Sequence, residues 1–362
     1  GSVSAATFTR NAFTAAPVIV AREHLQSAAP RYLLINTGNA NAATGVGGLD
    51  DARRSCALVA NVAGCEPQEV LPFSTGVIGE RLPLPPFEAG IPAALNALSD
   101  NGWEAAAAAI MTTDTVPKGV FRDVPLSGGA VRIVGIAKGS GMIRPDMATM
   151  LAFLGTDLVL AQDDAQRLLS SVVEQSFNRV TVDGDTSTND ACVLSATGQS
   201  GVHLSGVEDE QTFREALFSL MLELAQALVR DGEGASKFIT VRVEAGATTA
   251  ECLQVAYTVA HSPLVKTAMF ASDPNWGRLV MAIGRAGVEQ LDSDRVDVYL
   301  GDVCIVRNGG VADDYTEEAG QRVVDEQEIE VRIVLDRGAA ADTVWTSDLS
   351  HDYVTINAEY RT

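Results

Sequence analysis

Residues 131–160 read VRIVGIAKGSGMIRPDMATMLAFLGTDLVL. Val131–Ile136 is apolar and β-branched enough for a strand, and Met150–Leu160 is apolar enough for a central strand. Between them runs a glycine-flexed, proline-bearing loop, Lys138-Gly139-Ser140-Gly141 to Ala148-Thr149. Two strands joined by a loop dense in polar chemistry is a scaffold with a functional loop on it. Working outward, the same arrangement recurs. Tyr32-Leu33-Leu34-Ile35 reads as a buried strand running into Asn36-Thr37-Gly38-Asn39-Ala40-Asn41. Helical spacing covers Asp50–Ala63 (with Asp50 as a cap-like start), Glu104–Ile110, Asp163–Phe177 and Glu210–Val229. The last third reads as strands, Val296–Leu300, Ile329–Leu335 and Tyr353–Ile356, separated by glycine turns. There is no regular βαβ alternation, no internal repeat and no evident linker, which predicts an α+β fold with mixed sheets.

Length and charge narrow the function. The chain has 362 residues, 46% of them hydrophobic, enough for a large core and two packed layers or subdomains. Its net charge of -21 argues against sequence-independent phosphate binding and against an anionic membrane surface. No apolar stretch has the length of a membrane span. The start GSVSAATFTR lacks both an initiator Met and the basic and apolar regions of a secretory signal, so the N-terminus is read as trimmed. A cytoplasmic location is expected. The five cysteines (Cys56, Cys65, Cys192, Cys252, Cys304) form no CxxC pair and read as buried free thiols of a reducing compartment.

Several chemistries are missing from the sequence. The four histidines, His24, His203, His261 and His351, have no metal-ligand spacing, so no metal is expected. No GxSxG elbow, Walker A motif or helix-opening GxGxxG occurs. Asp183-Gly184-Asp185 resembles part of a calcium loop but lacks the acidic residue that closes one, and a backbone-positioning turn is the simpler reading.

What remains is Thr149, at the start of a strand. A Thr hydroxyl is a weak nucleophile and needs a base, and no histidine is close in sequence. If the bond before it is cut, its own α-amine supplies one, with a reference pKa of about 7.7–8.0. The hydroxyl can also make that cut, attacking the Ala148 carbonyl to give an ester that water hydrolyses. Ordinary β-propensity explains a Thr here equally well. Ser74-Thr75-Gly76-Val77-Ile78-Gly79 is either a tight turn or a turn whose glycine aims an N–H at an oxyanion. Glu233, between Gly232 and Gly234, either faces a cationic substrate or is a solvated turn carboxylate. Asp273-Pro274-Asn275-Trp276-Gly277-Arg278 suits a substrate rim or a structural corner.

Together the segments NTGNANAATG (36–45), STGVIG (74–79), MTTDTVPK (111–118), KGSGMIRPDMATML (138–151), DGDTSTND (183–190), DGEGASK (231–237), DPNWGR (273–278) and NAEYRT (357–362) resemble, in order and over the whole chain, the glutamate N-acetyltransferase (ornithine acetyltransferase) family of arginine biosynthesis. The resemblance implies a layered α/β sandwich of the ornithine-acetyltransferase type with a smaller C-terminal α/β subdomain at about 240–345. It implies self-cleavage between Ala148 and Thr149 into a 1–148 and a 149–362 fragment, two of each in the assembly. Thr149 is then the nucleophile, and Thr75 and Gly76 form the oxyanion hole. Thr112, Lys138, Thr149, Glu233, Asn357 and Thr362 contact substrate. Thr112 and Thr113 are adjacent and in a strand would face opposite ways. The implied reaction moves acetyl from N2-acetyl-L-ornithine to L-glutamate through an acetyl-threonyl ester, without a cofactor. Alternatives are a bifunctional form that also takes acetyl-coenzyme A, an N-terminal-nucleophile aminopeptidase or amidase in which water takes the acyl group, and a non-catalytic binding protein.

Overall fold

The computed structural model describes residues 2–144 and 150–359. These fall into two compact units. The first holds the described residues of Gly1–Asn178 and Asp185–Leu228, the second those of Arg179–Gly184 and Val229–Tyr360.

The first unit is built on a five-stranded sheet in the order Val3–Phe8, Ala191–Ala196, Leu151–Thr156, Gly129–Lys138, Lys118–Leu126. The central pair, Leu151–Thr156 and Ala191–Ala196, is parallel, and the other neighbours are antiparallel. The sheet is therefore mixed, as the irregular element order requires. Both strands read from residues 131–160 are present and adjacent, with Lys138 opposite Leu151 and Leu151 opposite Ala191. A separate parallel pair joins Tyr32–Asn36 to Val70–Ser74 and sets Asn36 opposite Ser74. The core beneath the loops contains Leu71, Phe73, Ile136, Leu151, Phe153 and Val193. Phe73 meets Phe153 edge to face at 5.0 Å.

The second unit has a seven-stranded mixed sheet, ordered Gly310–Val311, Val303–Arg307, Asp297–Leu300, Glu328–Val334, Phe238–Gly246, Ala340–Ser347, Val180–Thr181. Its core joins Ile239, Val241, Val331 and Ile333 of the sheet to Val255, Val259, Leu279 and Ile283 of covering helices. The fold is α+β, with helices beside mixed sheets in each unit.

Several readings need correction. Tyr353–Ile356 is helical, within His351–Glu359. Its β-branched run favours a strand, but Ser350 Oγ accepts the Tyr353 N–H at 3.2 Å and starts a helix instead. The helix expected from Asp50 begins at Gly45, after an N-cap at Thr44. Gly45, Gly47 and Gly48 hid its first turn, and Asp51 is a buried partner of Arg81 (Nη2–Oδ1 2.9 Å). The strand after residue 150 is Leu151–Thr156, shorter than expected, because Asp157 leaves the ladder to accept the Arg132 N–H at 2.8 Å. The last third also contains helices at Thr249–Ala260, Pro263–Phe270, Trp276–Gly284 and Glu317–Val324 between its strands. No helix among the described residues is long and apolar enough to cross a membrane. All five cysteines are unpaired. Cys65 is half-buried rather than buried.

Candidate active site

In the first unit the loops that follow the central strands converge on Lys138, the last residue of its strand. Its side chain is 3% exposed. Nζ donates to Thr112 Oγ1 at 2.8 Å and to Thr75 Oγ1 at 3.2 Å. Asp114 Oδ2 lies 3.9 Å away. Three of the residues singled out from sequence, Thr75, Thr112 and Lys138, are thus in direct contact. Residues 111–115 are a bent loop rather than a strand. Thr112 is the member of the Thr pair that meets Lys138, while Thr113 shares a hydrogen bond with Ser140 Oγ at 2.6 Å.

Asp114 organises this cluster. Oδ1 accepts from Lys118 Nζ at 2.7 Å and from the Gly139 N–H at 2.7 Å, and Oδ2 from the Thr112 N–H at 3.2 Å. Burial pushes its carboxyl up, but Lys138, Lys118 and the Gly139 N–H together hold it below the usual carboxylate range. Two buried ammonium groups share one buried carboxylate. Asp114 was quoted in the 111–118 segment without a role. Its signal was the Lys four residues on.

The turn at Gly76 fits its alternative as a close backbone approach. Gly76 has φ +131°, and a Cβ there would collide with the Gly38 backbone and sit 2.6 Å from Asn39 N. Only glycine fits. The flanking amides are used, Thr75 N–H on Asn36 O at 3.1 Å and Val77 N–H on Gly38 O at 3.3 Å. Among the described residues the Gly76 N–H between them meets no acceptor in hydrogen-bonding geometry. Thr75 Oγ1 accepts from Lys138, so its own O–H proton remains to be donated elsewhere.

The 183–190 segment ends in a bracket that sequence did not reveal. Asn189 Nδ2 donates to Ala40 O at 2.6 Å and to Ser74 O at 2.9 Å, tying the 36–45 loop to the start of the 74–79 turn. Asp190 Oδ1 accepts the Met150 N–H at 3.1 Å, and Met150 O accepts the Ala191 N–H at 3.1 Å. Burial pushes the Asp190 carboxyl well above the usual carboxylate range, against the Met150 N–H, Ser187 and Lys138. Ala148, Thr149 and Thr362 lie outside the described residues.

In the second unit Glu233 is half-buried, and its Oε2 accepts from Asn357 Nδ2 at 2.7 Å. Asn357 Nδ2 also reaches Tyr353 O at 3.0 Å. The two residues assigned to substrate in this unit therefore touch each other. Their loop is anchored from behind. Asp348 accepts the Ser236 and Lys237 N–H groups at 2.8 and 2.9 Å. Ser350 Oγ donates to Gly234 O at 2.6 Å. Lys266, fully buried nearby in sequence space to neither motif, donates to Thr346 Oγ1 at 2.9 Å and to Ser347 O, and burial pulls its ammonium down to about 7.

Two further segments have local structural partners. Asn275 caps helix Trp276–Gly284 by accepting the Arg278 N–H at 3.1 Å, and Arg278 Nη1 donates to Leu264 O at 2.9 Å. The 273–278 segment is a corner. Asp183 accepts from Tyr353 O–H at 3.2 Å, and no group of His, Cys, Asp or Glu among the described residues has the arrangement of a metal site.

Comparison with known proteins adds three findings. The model described as "ArgJ family" matches residues 1–362. The chain is 54% identical over 365 residues to the "Arginine biosynthesis bifunctional protein ArgJ" of Pseudomonas fluorescens (strain Pf0-1), covering 100% of this chain and 90% of that protein. It is 56% identical over 364 residues to the protein of the same name from Methylococcus capsulatus (strain ATCC 33009 / NCIMB 11132 / Bath), covering 100% and 89%. Among solved structures, that of arginine biosynthesis bifunctional protein argJ from Bacillus halodurans aligns with a TM-score of 0.54 and 36% identity over 56% of this chain and 96% of that one.

Proposed function

The chain belongs to the ArgJ family, and from that premise we propose that it is an acetyltransferase of arginine biosynthesis that moves acetyl from N2-acetyl-L-ornithine to L-glutamate. Its products are L-ornithine and N-acetyl-L-glutamate. The observation that carries the reading is the pair of donors at the 74–79 turn: a Gly76 N–H that meets no acceptor among the described residues, beside a Thr75 hydroxyl whose oxygen is already taken by Lys138. Two fixed donors suit an acyl oxygen that becomes negative during attack, and losing one such donor typically costs about 10²–10³ in rate.

Thr149 is the nucleophile, made N-terminal by self-cleavage after Ala148. Its Oγ attacks the acetyl carbonyl while its α-amine takes the proton. Ornithine leaves with a proton, an acetyl-threonyl ester remains, and the amine of glutamate then takes the acetyl group. Lys138 is assigned the substrate α-carboxylate by resemblance, with Thr112 held on its ammonium at the buried end of its strand. Glu233, steadied by Asn357, is assigned the distal ammonium of the donor. Thr362 is assigned to substrate by resemblance alone. These steps call on no cofactor or metal. The enzyme works in the cytoplasm, as two copies of each fragment.

A second donor is favoured by the relatives, whose name calls them bifunctional. Acetyl-coenzyme A would acetylate the same Thr149 and make acetylglutamate from free glutamate. Initial rates against both substrates test the proposal. Parallel double-reciprocal lines with acetylornithine and glutamate are expected, together with loss of both activity and cleavage in Thr149→Ala. Acetate release that ignores glutamate would show a hydrolase instead, and an active, cleaved Thr149→Ala would place the nucleophile elsewhere. Replacing acetylornithine by acetyl-coenzyme A decides the second donor.

A further inference from the structure

The Glu233–Asn357 contact joins residues 124 apart in the chain, and neither side is fixed by packing of its own. Glu233 stands in a glycine-flanked turn. Asn357 is exposed, on helix His351–Glu359, none of whose described residues is buried. A helix without a buried face takes its place from polar contacts. Those contacts run through one short segment, Ser347–Ser350, of which Ser347, Asp348 and Ser350 are buried.

The segment holds both sides of the pair. Toward Glu233, Asp348 Oδ1 accepts the Ser236 and Lys237 N–H groups at 2.8 and 2.9 Å, and Oδ2 accepts from Ser236 Oγ at 2.5 Å. Toward Asn357, Ser350 Oγ accepts the Tyr353 N–H at 3.2 Å, and the same hydroxyl donates to Gly234 O at 2.6 Å. The approach there is close enough that a Cβ on Gly234 would collide with Tyr353 N and sit 2.6 Å from Ser350 Oγ. Tyr353 is tied a second time, its O–H donating to Asp183 Oδ2 at 3.2 Å.

Behind the segment is Lys266, 3% exposed, on helix Pro263–Phe270. Its Nζ donates to Ser347 O and to Thr346 Oγ1 (2.9 Å), and its backbone O accepts the Leu349 N–H at 3.3 Å. Burial works against its charge, and Asp348 and Asp183 work for it. These are the two carboxylates just described, one holding the Glu233 turn and the other the Asn357 helix. An apolar side chain of the same length would fill the space without the cost of burying an ammonium. What it would not supply is a grip on the Ser347 carbonyl and a positive charge that both carboxylates share.

We propose that Lys266 is a positioning residue for the acetyl donor: through Ser347–Ser350 it sets the Glu233–Asn357 pair that takes the donor's distal ammonium. This rests on the assignment of Glu233 to that ammonium. Glutamate brings a carboxylate to the same end, so the second half of the reaction does not use Glu233 in this way.

The two halves can be read separately. In a ping-pong reaction kcat/KM for acetylornithine reports only the first half, and kcat/KM for glutamate only the second. Both are measured on purified wild type, Lys266→Met and Glu233→Gln, with thermal melts of the same preparations. Lys266→Met keeps the apolar stem and removes the ammonium. It is expected to lower kcat/KM for acetylornithine about tenfold or more, and that for glutamate by less than about threefold. Glu233→Gln is expected to show the same selective fall. An equal fall in both constants of Lys266→Met is what a merely structural role gives, and it would overturn the proposal, as would a folded Lys266→Met with both constants unchanged. A selective fall in Glu233→Gln with none in Lys266→Met refutes the role of Lys266 alone. A Glu233→Gln variant with both constants unchanged refutes the ammonium assignment, and the proposal with it. If Lys266→Met does not fold, Lys266→Gln decides by the same ratio: a selective fall supports the role, and a wild-type ratio in the folded variant refutes it.

Discussion

Lys138 ends a strand, and its ammonium donates to the hydroxyls of Thr75 and Thr112 with the Asp114 carboxylate 3.9 Å away. Each hydroxyl oxygen it engages keeps its own proton to donate. Beside it, Gly76 holds a backbone conformation that a side chain cannot share with the Gly38 backbone. Gly76→Ala is expected to cost about 3 kcal/mol of stability, from a disfavoured φ and an overlap that no side-chain rotation relieves. Transfer activity is expected to fall by about 10² or more even in the fraction that stays folded, because the donor moves. Thermal melts and kcat measured on the same preparation check both. An Ala variant with wild-type kcat would mean the Gly76 N–H is not an oxyanion donor.

At the scale of elements, Asn189 does more than a turn residue usually does. Its amide bonds to two paired segments that are both distant from it in sequence. Asn189→Ala strands two buried carbonyls, at about 1–3 kcal/mol each, and should loosen the 36–45 and 74–79 loops together. Hydrogen exchange is expected to rise in both segments and to stay unchanged in Glu328–Val334. Faster exchange confined to one loop would contradict the tie. Legibility follows the same division. The site loops were readable because Gly, Asn, Thr and Asp cluster after apolar runs, and because motif order carries what spacing alone does not. Thr75, Thr112 and Lys138 were therefore named before their contact was visible. The bracket at Asn189 and Asp190 was not readable, since Met150 and Ser74 are distant in sequence and the backbone atoms they offer leave no residue-type signal. Tyr353–Ile356 misled for the opposite reason. Local β-propensity was clear, and one serine cap overrode it.

For the molecule as a whole, a body of net charge -21 that handles acidic substrates must provide its attraction locally. The proposed assignment gives that task to Lys138. The proposed cut between Ala148 and Thr149 separates the covalent chain without separating the fold. Strands Gly129–Lys138 and Leu151–Thr156, one from each fragment, pair from Ile133–Thr156 to Lys138–Leu151. The two proposed fragments then stay joined through one sheet, so the cut need not dismantle the core. The most direct test is the denatured mass of the enzyme mixed with N2-acetyl-L-ornithine and quenched before glutamate is added. Two fragments, 1–148 and 149–362, are expected, with one acetyl group on the second that disappears when glutamate is supplied. A single uncut chain from active enzyme, or acetyl on the 1–148 fragment, would contradict the account.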